Sequence, residues 1–476
     1  MVFSSVTFLF FFLPLVLAIY LILPLRGRNV FLMLASLLFY TWGEAEYVGI
    51  MVVSIASNYV CGRLLGRTSS PRKKRRVLIG AVAINLGLLG AFKYANFLAD
   101  NLNHLLAAAG IGTLDIPQVH LPIGISFFTF QALSYVIDVY RGQSEVQRSP
   151  IKLALFVSLF PQLIAGPIVR YHQVAEQITH RIVNCEKFQK GIQRFIIGLA
   201  KKVLIANTLA VTADQIFKLD PTSLPVATAW LGVICYTFQI YFDFSGYSDM
   251  AIGLGRMLGF DFPENFNYPY VAKSVREFWR RWHISLSTWF RDYLYIPLGG
   301  NRHGAMRTYV NLVLVFFLCG LWHGAVWTFV VWGLYHGIFL ALERTAFGQV
   351  LDRSWRPLRH IYTVLVFGAG WVVFRAETLT QAGQYYASLM GFADAPDARY
   401  GPGTYANPLV ILVLLLGLVC SLPVLPILKK WLTAERHETT RGLVQLVSSV
   451  TLLLLLLLCV LPLASGTYNP FIYFRF

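Results

Sequence analysis

The chain has 476 residues, of which 56% are hydrophobic and 13% are charged, and its formal net charge is +17. This composition does not suit water-facing domains, although the length alone would allow two or three of them. The basic residues fall in loops between apolar segments rather than on one face of a domain. We therefore interpret the charge as a signal of membrane topology and expect no nucleic-acid partner.

Apolar segments that approach the length needed to cross a bilayer core of about 30 Å recur along the whole chain. They predict an all-α polytopic membrane protein with about 11–12 transmembrane helices. The first segment lacks the basic start of a signal peptide and its apolar run is too long for one, so we expect it to remain as a span. The predicted spans are 6–25, 29–43, 46–62, 77–95, 118–140, 192–213, 226–246, 308–322, 324–343, 360–375, 408–428 and 443–464.

The loop from Arg63 to Arg76 gives the strongest orientation signal, because it contains a run of consecutive basic residues. The positive-inside rule places this loop in the cytoplasm, and counting spans back from it places the N-terminus outside. The segment 96–118 carries no Lys or Arg and should also lie outside. An even number of spans then leaves both termini outside. The same rule predicts cytoplasmic positions for 141–148, 273–307 and 429–441.

Two stretches do not cross the membrane cleanly. Residues 151–169 are apolar but contain Phe160-Pro161 and Gly166-Pro167, which predicts a re-entrant segment buried in protein. Residues 262–304 are rich in aromatic residues and arginine. Within them, the helical spacing from Trp279 to Tyr293 predicts an amphipathic helix along the cytoplasmic interface. Membrane anchoring would explain its aromatic residues but not His283.

Ionisable side chains within spans are functional candidates, because an uncompensated charge in lipid is costly. Asp243 and Asp249 lie in a polar run that we expect to end one span and begin an irregular stretch. Structural hydrogen bonding and catalysis fit these two residues equally well. Four other charged residues lie near predicted span ends, where they could snorkel to the interface: Lys93, Asp138, Glu343 and Arg375.

His323 lies between two apolar segments that are each short for a full crossing. The adjacent Gly324 permits a break in the helix, and Trp322 and Trp327 would keep the imidazole dry. A neutral ring in such a place could accept a proton from a hydroxyl, although a structural histidine bonded to a neighbouring helix fits the residues as well. His336 would lie about 140° from His323 around a continuous helix, so the two do not predict a metal pair.

Other chemistry is not indicated by the sequence. Six scattered cysteines without C-x-x-C spacing predict neither a disulfide framework nor a zinc site. The chain contains no H-E-x-x-H, G-x-S-x-G or Walker motif. We expect no metal and no permanently bound cofactor.

Long motifs spread over nearly the whole chain resemble the membrane-bound O-acyltransferase family, and specifically its bacterial alginate O-acetyltransferase branch. They are LPIGISFFTFQALSYVIDVYRG at 121–142, FPQLIAGPI at 160–168, YFDFSGYSDMAIGLG at 241–255, NFNYPYVAKSVREFWRRWHISLSTWFRDYLYIPLGGNR at 265–302 and CGLWHGAVWTFVVWGLYHG at 319–337.

The resemblance implies one transmembrane domain that forms a tunnel-containing helical barrel, with N-terminal helices in 1–117, a catalytic core in 118–345 and C-terminal helices in 346–476. It places the family's catalytic W-H-G histidine on His323 and its R-W-H histidine on His283. It also implies the bacterial inner membrane, acetyl-coenzyme A as a cytoplasmic donor, a polysaccharide acceptor and an extracytoplasmic acetyltransferase partner. The termini would then be periplasmic.

The acceptor is not specified by the motifs. Alginate or a related exopolysaccharide is the primary expectation. The alternatives are O-acetylation of peptidoglycan or cellulose, and D-alanyl transfer from a carrier protein. A polytopic transporter or a structural subunit of an export complex would be non-enzymatic alternatives, and internal repeats, which would favour a transporter, are not found in the sequence.

Overall fold

The computed structural model describes residues 1–393, 395–424 and 438–472. Within these ranges the chain is helical and contains no strand, which confirms the predicted all-α class. Six of the described helices are long and apolar enough to cross a membrane, and four shorter apolar helices accompany them. A helix covers most of every predicted span. Of the predicted cytoplasmic loop 429–441, residues 429–437 lie outside the described ranges.

One compact unit comprises Met1–Gly191, Ala251–Pro263 and Gly324–Val326. Its core includes a cluster of four phenylalanine rings, Phe8, Phe12, Phe39 and Phe160, whose centroids lie 5.5 to 6.3 Å apart. Its helices are α1 (Phe8–Ile22), α2 (Leu25–Glu44), α3 (Val48–Arg67), α4 (Pro71–Ala108), α5 (Ile125–Tyr140), α6 (Pro150–Ser158), α7 (Phe160–Leu163) and α8 (Tyr171–Thr179).

Two predictions fall in this unit. Helix α4 continues to Ala108, so the expected outer loop 96–118 begins as helix. The predicted re-entrant segment 151–169 consists of two short helices followed by irregular chain, and nearly all its side chains from Leu153 to Val169 are buried. Burial in protein satisfies the prediction that such a broken segment avoids lipid.

The other unit comprises Ile192–Met250, Glu264–His323 and Trp327–Phe476. The helices that contribute to it, leaving single turns aside, are α9 (Cys185–Phe217), α10 (Val226–Met257), α11 (Val275–Arg281), α12 (Ile284–Phe290), α13 (Gly304–His323), α14 (Trp327–Leu342), α15 (Ala346–Arg353), α16 (Arg356–Arg375), α17 (Leu379–Leu389), α18 (Pro408–Cys420) and α19 (Glu438–Ala464).

Helices α13 and α14 pack closely through glycines. A Cβ added at Gly320 would lie 2.2 Å from the carbonyl oxygen of Phe329, and one at Gly333 would lie 2.3 Å from that of Phe316. Only glycine permits this approach of the two backbones. The contact fixes the hairpin at whose turn His323 ends the first helix.

The expected break at the polar run of Asp243 and Asp249 does not occur, because α10 stays helical to Met257. The two carboxylates do not need a break, since each has cationic partners on α9. Lys202 Nζ lies 2.7 Å from Asp243 Oδ1, and Lys201 Nζ lies 2.7 Å from Asp249 Oδ2. These contacts agree with the structural role that the sequence analysis left open for Asp243 and Asp249 beside a catalytic one.

The prediction of one continuous interfacial helix from Trp279 to Tyr293 is also wrong. The chain forms α11 and α12 with a sharp turn between them at His283. Its aromatic side chains are buried in protein, with Trp279 only 7% and Trp289 only 6% exposed. Their helical spacing therefore reflects a core rather than a lipid-facing stripe.

Of the four charged residues expected to snorkel, Lys93, Asp138 and Glu343 are instead buried inside the protein, and the side chain of Arg375 is 9% exposed. Glu343 binds a helix N-terminus, described below. The other three find polar partners: Lys93 with Ser126 Oγ at 3.1 Å, Asp138 with His172 Nδ1 at 2.8 Å and Arg375 with Asp214 Oδ1 at 2.7 Å.

Candidate active site

His323 is the last residue of α13 and is 6% exposed. Aromatic rings surround its imidazole, with centroids at 5.0 Å for Trp322, 5.2 Å for Trp332 and 5.5 Å for Phe374. The dry environment expected from the sequence is therefore present. The prediction that Trp327 helps to provide it is wrong, because Trp327 is 54% exposed. Trp332, about one and a half turns further along α14, packs against the imidazole instead.

A narrow cavity of about 10 Å³ lies beside His323, which is the space of a single water molecule. Four helices, the turn after α11 and the C-terminal segment contribute to its wall. The lining residues are Ile240, Phe244, Trp282, His323, Trp332, Trp371, Phe374 and Ile472.

His283 is buried in the same region, with 1% of its surface exposed. It occupies the turn between α11 and α12 in the left-handed conformation, with φ 45° and ψ 53°. This conformation is uncommon for a residue other than glycine and is concentrated at functional sites. Its ring lies edge-on to Phe244 at 4.6 Å and 6.2 Å from the Trp322 ring. His283, His323, Phe244, Trp322, Trp332 and Phe374 are called the histidine chamber below.

Asn265 fixes the orientation of His283. The side-chain oxygen of Asn265 lies 3.1 Å from His283 Nδ1 and accepts hydrogen bonds from the backbone N–H and the hydroxyl of Ser285. The backbone N–H can only donate, so the atom facing His283 must be the amide oxygen rather than the nitrogen. The amide nitrogen correspondingly lies 3.0 Å from Ser248 Oγ.

This arrangement defines the protonation state of His283. Because Asn265 presents an acceptor, the Nδ1 of His283 carries the proton and its Nε2 carries the lone pair. That Nε2 is buried and has no hydrogen-bond partner among the described residues. Burial, and secondarily the nearby His323, lowers the pKa of His283 well below its usual value. The ring is therefore neutral and offers one acceptor atom to a dry site.

Glu343 holds the helix that leads to His283. Its two carboxylate oxygens accept hydrogen bonds from the backbone N–H groups of Val275 and Arg276, at 2.6 Å and 2.9 Å, where α11 begins. A carboxylate at a helix N-terminus satisfies orphan donors and interacts favourably with the helix dipole. Glu343 thereby links the end of α14 to the element that carries His283.

The remaining candidates fall outside this chamber. His336 is buried against the rings of Trp279, Trp332 and Tyr335, and both its nitrogens lack partners among the described residues. Asp243 and Asp249 are ion-paired, while Lys93 and Asp138 belong to the other unit. The described part of the chain contains no group of three or more His, Cys, Asp or Glu side chains that could hold a metal.

Several site residues were not predicted from the sequence. Asn265 lies within a quoted motif, but its role depends on a contact with a residue 18 positions away. Its only sequence signal is a strongly polar amide beside an aromatic segment. Trp371, Phe374 and Ile472 carry no signal at all, because they reach the cavity from distant parts of the chain.

The histidine chamber thus joins His323, at the end of α13, and His283, in the turn between α11 and α12, in a chain with several helices long and apolar enough to cross a membrane. The model of the MBOAT, membrane-bound O-acyltransferase family matches residues 143–380, half of the chain. The chain belongs to this family and is an O-acyltransferase. Family membership sets aside the transporter and structural-subunit alternatives.

Individual relatives are similar over most or all of the chain. The chain is 43% identical, over the whole of both proteins, to a probable alginate O-acetylase AlgI of Azotobacter vinelandii. It is 48% identical to a protein of the same description from Pseudomonas aeruginosa, over 82% of this chain and 75% of that protein. It is also 39% identical to the peptidoglycan O-acetyltransferase of Helicobacter pylori, over 82% of this chain and 80% of that protein.

Proposed function

We propose that this protein transfers an acetyl group from a cytoplasmic thioester, acetyl-coenzyme A, across the bacterial inner membrane for O-acetylation of an extracellular or periplasmic polysaccharide. Alginate or a related exopolysaccharide is the proposed acceptor. The observation that carries the proposal is the pairing of His323 and His283 in one dry chamber at the turn of a glycine-packed hairpin.

His323 acts as the general base in this proposal. A hydroxyl oxygen attacks the thioester carbonyl carbon, a new C–O bond forms and the C–S bond breaks. The hydroxyl proton passes to His323 and then to the departing coenzyme A thiolate, which leaves as the thiol. A positioned base of this kind supplies about 10² to 10⁴-fold of rate. The aromatic wall supports the role, because it keeps water from competing with the acceptor hydroxyl.

His283 is the second proposed catalytic residue. Its Nε2 lone pair is the buried acceptor left without a partner among the described residues, and the Asn265 oxygen holds it in that tautomer. A hydroxyl that donates to this atom is oriented for attack before His323 removes its proton. Substrate would thus satisfy a polar atom that the protein alone does not.

A tunnel through the chamber would bring the donor thioester from the cytoplasm and the acceptor from the other side. The basic region from Lys273 to Arg302 supports donor entry on the cytoplasmic side, because it would attract the phosphates of coenzyme A. The acceptor hydroxyl belongs either to the sugar or to a serine of an extracytoplasmic partner that then acetylates the polymer. The partner is the favoured route in this proposal.

The choice of acceptor rests on the relatives. Full-length similarity to proteins described as probable alginate O-acetylases supports an exopolysaccharide, while similarity to the peptidoglycan enzyme makes peptidoglycan the second candidate. The teichoic acid D-alanyltransferase of Bacillus subtilis is 30% identical over only 53% of the chain, which gives less support to D-alanyl transfer.

The decisive experiment measures acetyl transfer from acetyl-coenzyme A by the purified protein and by the variant His323→Gln. Glutamine keeps a polar side chain but cannot take up the proton, so we expect a loss of at least about 100-fold with normal expression and normal coenzyme A binding. Trp327→Phe is the matched control, because Trp327 is exposed and should leave the rate unchanged. Near-normal transfer by His323→Gln would show that His323 is structural.

The proposed orientation places residues 63–76 in the cytoplasm and both termini in the periplasm. A cysteine introduced by Ser69→Cys should not react with a membrane-impermeant thiol reagent added to intact cells, and should react after the cells are opened. Reaction in intact cells would reverse the orientation and with it the side from which the donor enters.

A further inference from the structure

We propose that the buried ion pair between Lys202 and Asp243 holds the C-terminal segment 468–472 against the cavity beside His323, so that both residues position the site for acyl transfer. The inference rests on the proposed role of His323. It gives a function to the polar run that the sequence singled out and the catalytic chemistry does not use.

The Lys202 ammonium group contacts three oxygen atoms. It lies 2.7 Å from Asp243 Oδ1 in an ion pair, and it donates hydrogen bonds to the side-chain oxygen of Asn207 at 2.8 Å and to the carbonyl oxygen of Pro470. One of the three belongs to the C-terminal segment.

Asp243 binds the same segment with its other oxygen. The backbone N–H of Ile472 donates to Asp243 Oδ2 at 2.8 Å. The two members of the ion pair therefore hold the chain at two nearby points, one through an acceptor and one through a donor. Lys202 is 2% and Asp243 is 3% exposed, so water does not compete for these bonds.

The rest of the segment is held in the same way. Tyr468 donates to Asp214 Oδ2 at 2.7 Å, and the other oxygen of Asp214 is paired with Arg375. Asn469 accepts from the side-chain amide of Asn207 at 3.0 Å. The Phe471 ring stacks on Tyr247 with centroids 4.6 Å apart. The five residues 468–472 and their partners Lys202, Asn207, Asp214, Asp243 and Tyr247 are called the C-terminal anchor below.

The anchor reaches the proposed chemistry at two places. The Ile472 side chain lines the cavity beside His323, together with Phe244. Phe244 follows Asp243 directly on α10 and touches the His283 ring. A shift of Asp243 would therefore move the cavity wall from both sides. A buried ion pair adds little net stability compared with an apolar pair of the same size, so its specific contribution here is the placement of the segment.

The first test asks whether the ion pair holds the segment. Purified protein in detergent is digested with a carboxypeptidase, and the remaining chain is measured by mass spectrometry. We expect the wild-type chain to keep Ile472 and the variant Asp243→Asn to be shortened past Tyr468. Asp249→Asn is the matched control, because Asp249 lies on the same helix and pairs with the neighbouring Lys201. An Asp243→Asn chain that keeps Ile472, or an equal shortening of Asp249→Asn, would overturn the proposal.

The second test asks whether placement matters for transfer. Asp243→Asn should lower the maximal rate of acetyl transfer at least tenfold with little change in the KM for acetyl-coenzyme A, and Asp243→Glu should restore part of it. If Asp243→Asn does not fold, the double variant Lys202→Met with Asp243→Leu replaces the pair by apolar groups and provides the same measurement. Wild-type rates in a folded variant that has lost the segment would overturn the proposal.

The two proposals fail separately. His323→Ala should keep the segment protected from digestion, because the polar contacts that hold the anchor come from Lys202, Asn207, Asp214 and Asp243. If His323→Gln is active and its segment is protected, the general-base role of His323 is rejected and the anchoring proposal stands. If His323→Gln is inactive and the wild-type segment is digested, the general-base role stands and the anchoring proposal is rejected.

Discussion

The histidine chamber and the C-terminal anchor are two buried polar regions of the same unit, and they differ in how their polar groups are paired. In the anchor, charged groups lie in ion pairs with groups of opposite charge. In the chamber, His283 Nε2 and Trp332 Nε1 lie among aromatic rings without a partner among the described residues. A buried polar atom without a partner costs about 1–3 kcal/mol, so its presence requires an explanation. The comparison shows ion pairing in the anchor, whereas under the proposed function a substrate hydroxyl would supply the partner of His283 Nε2.

Replacement of His283 tests the chamber side of this comparison most strongly. His283→Ala removes the unpartnered acceptor, and we expect acetyl transfer to fall by at least about 100-fold. Folding should survive, because the side chain makes one hydrogen bond within the described part of the chain, to Asn265. The measurement is the transfer rate per folded molecule, with folding followed by thermal melting in detergent. Loss of folded protein with an unchanged specific rate would make His283 a structural residue.

Asn265 sharpens the comparison, because it belongs to both kinds of region. Its amide nitrogen and oxygen both have hydrogen-bond partners, and its oxygen holds the tautomer of His283, whose Nε2 has no partner among the described residues. Asn265→Asp keeps an acceptor for His283 but introduces a buried charge, while Asn265→Leu removes the acceptor. We expect Asn265→Leu to lower the transfer rate by about tenfold, since the ring is free to change tautomer. Equal rates for Asn265→Leu and the wild type would show that the tautomer is irrelevant.

Glu343 provides the smallest expected effect on chemistry. Glu343→Gln keeps one acceptor for the backbone of α11 but turns a second oxygen into a donor, which leaves one of two backbone N–H groups unpaired. We expect a loss of about 1–3 kcal/mol in the free energy of unfolding and a change of less than about threefold in the transfer rate per folded molecule. Thermal melting and the transfer assay separate the two quantities. A large loss of rate without loss of stability would move Glu343 into the reacting part of the site.

The sequence predicted the helical class, the spans and the break at His323, because those depend on local hydropathy and on glycine. It also predicted a buried environment for His323. It did not predict which tryptophan would supply that environment, since Trp332 and Trp327 are equally apolar and only the packing of α14 on α13 distinguishes them. Hydropathy patterns report whether a residue avoids water, and they do not report which neighbour it contacts.

The largest errors concern charged and aromatic residues away from His323. Asp243 was expected to end a helix, and Arg375 was expected to reach the interface. Both predictions were made without knowledge of the residue that pairs with each charge. A charge within a span is tolerated when an opposite charge from a distant segment meets it, and Lys202 and Asp214 lie far away in the chain. The aromatic spacing from Trp279 to Tyr293 fits a surface helix and a buried broken helix equally well. The left-handed turn at His283 distinguishes the broken helix from the surface helix, and a histidine in the sequence does not predict such a turn.

At that left-handed turn, the residue type that favours stability differs from the residue type proposed for catalysis. Glycine adopts such a conformation without strain, whereas a histidine there stores backbone energy of order 1–3 kcal/mol. His283→Gly should therefore melt at a higher temperature than His283→Ala, although both lack the imidazole. Selection for thermostability alone would therefore favour glycine at this position. Under the role proposed for His283, the same change would remove activity, so a histidine at residue 283 would mark chains selected for transfer rather than for stability.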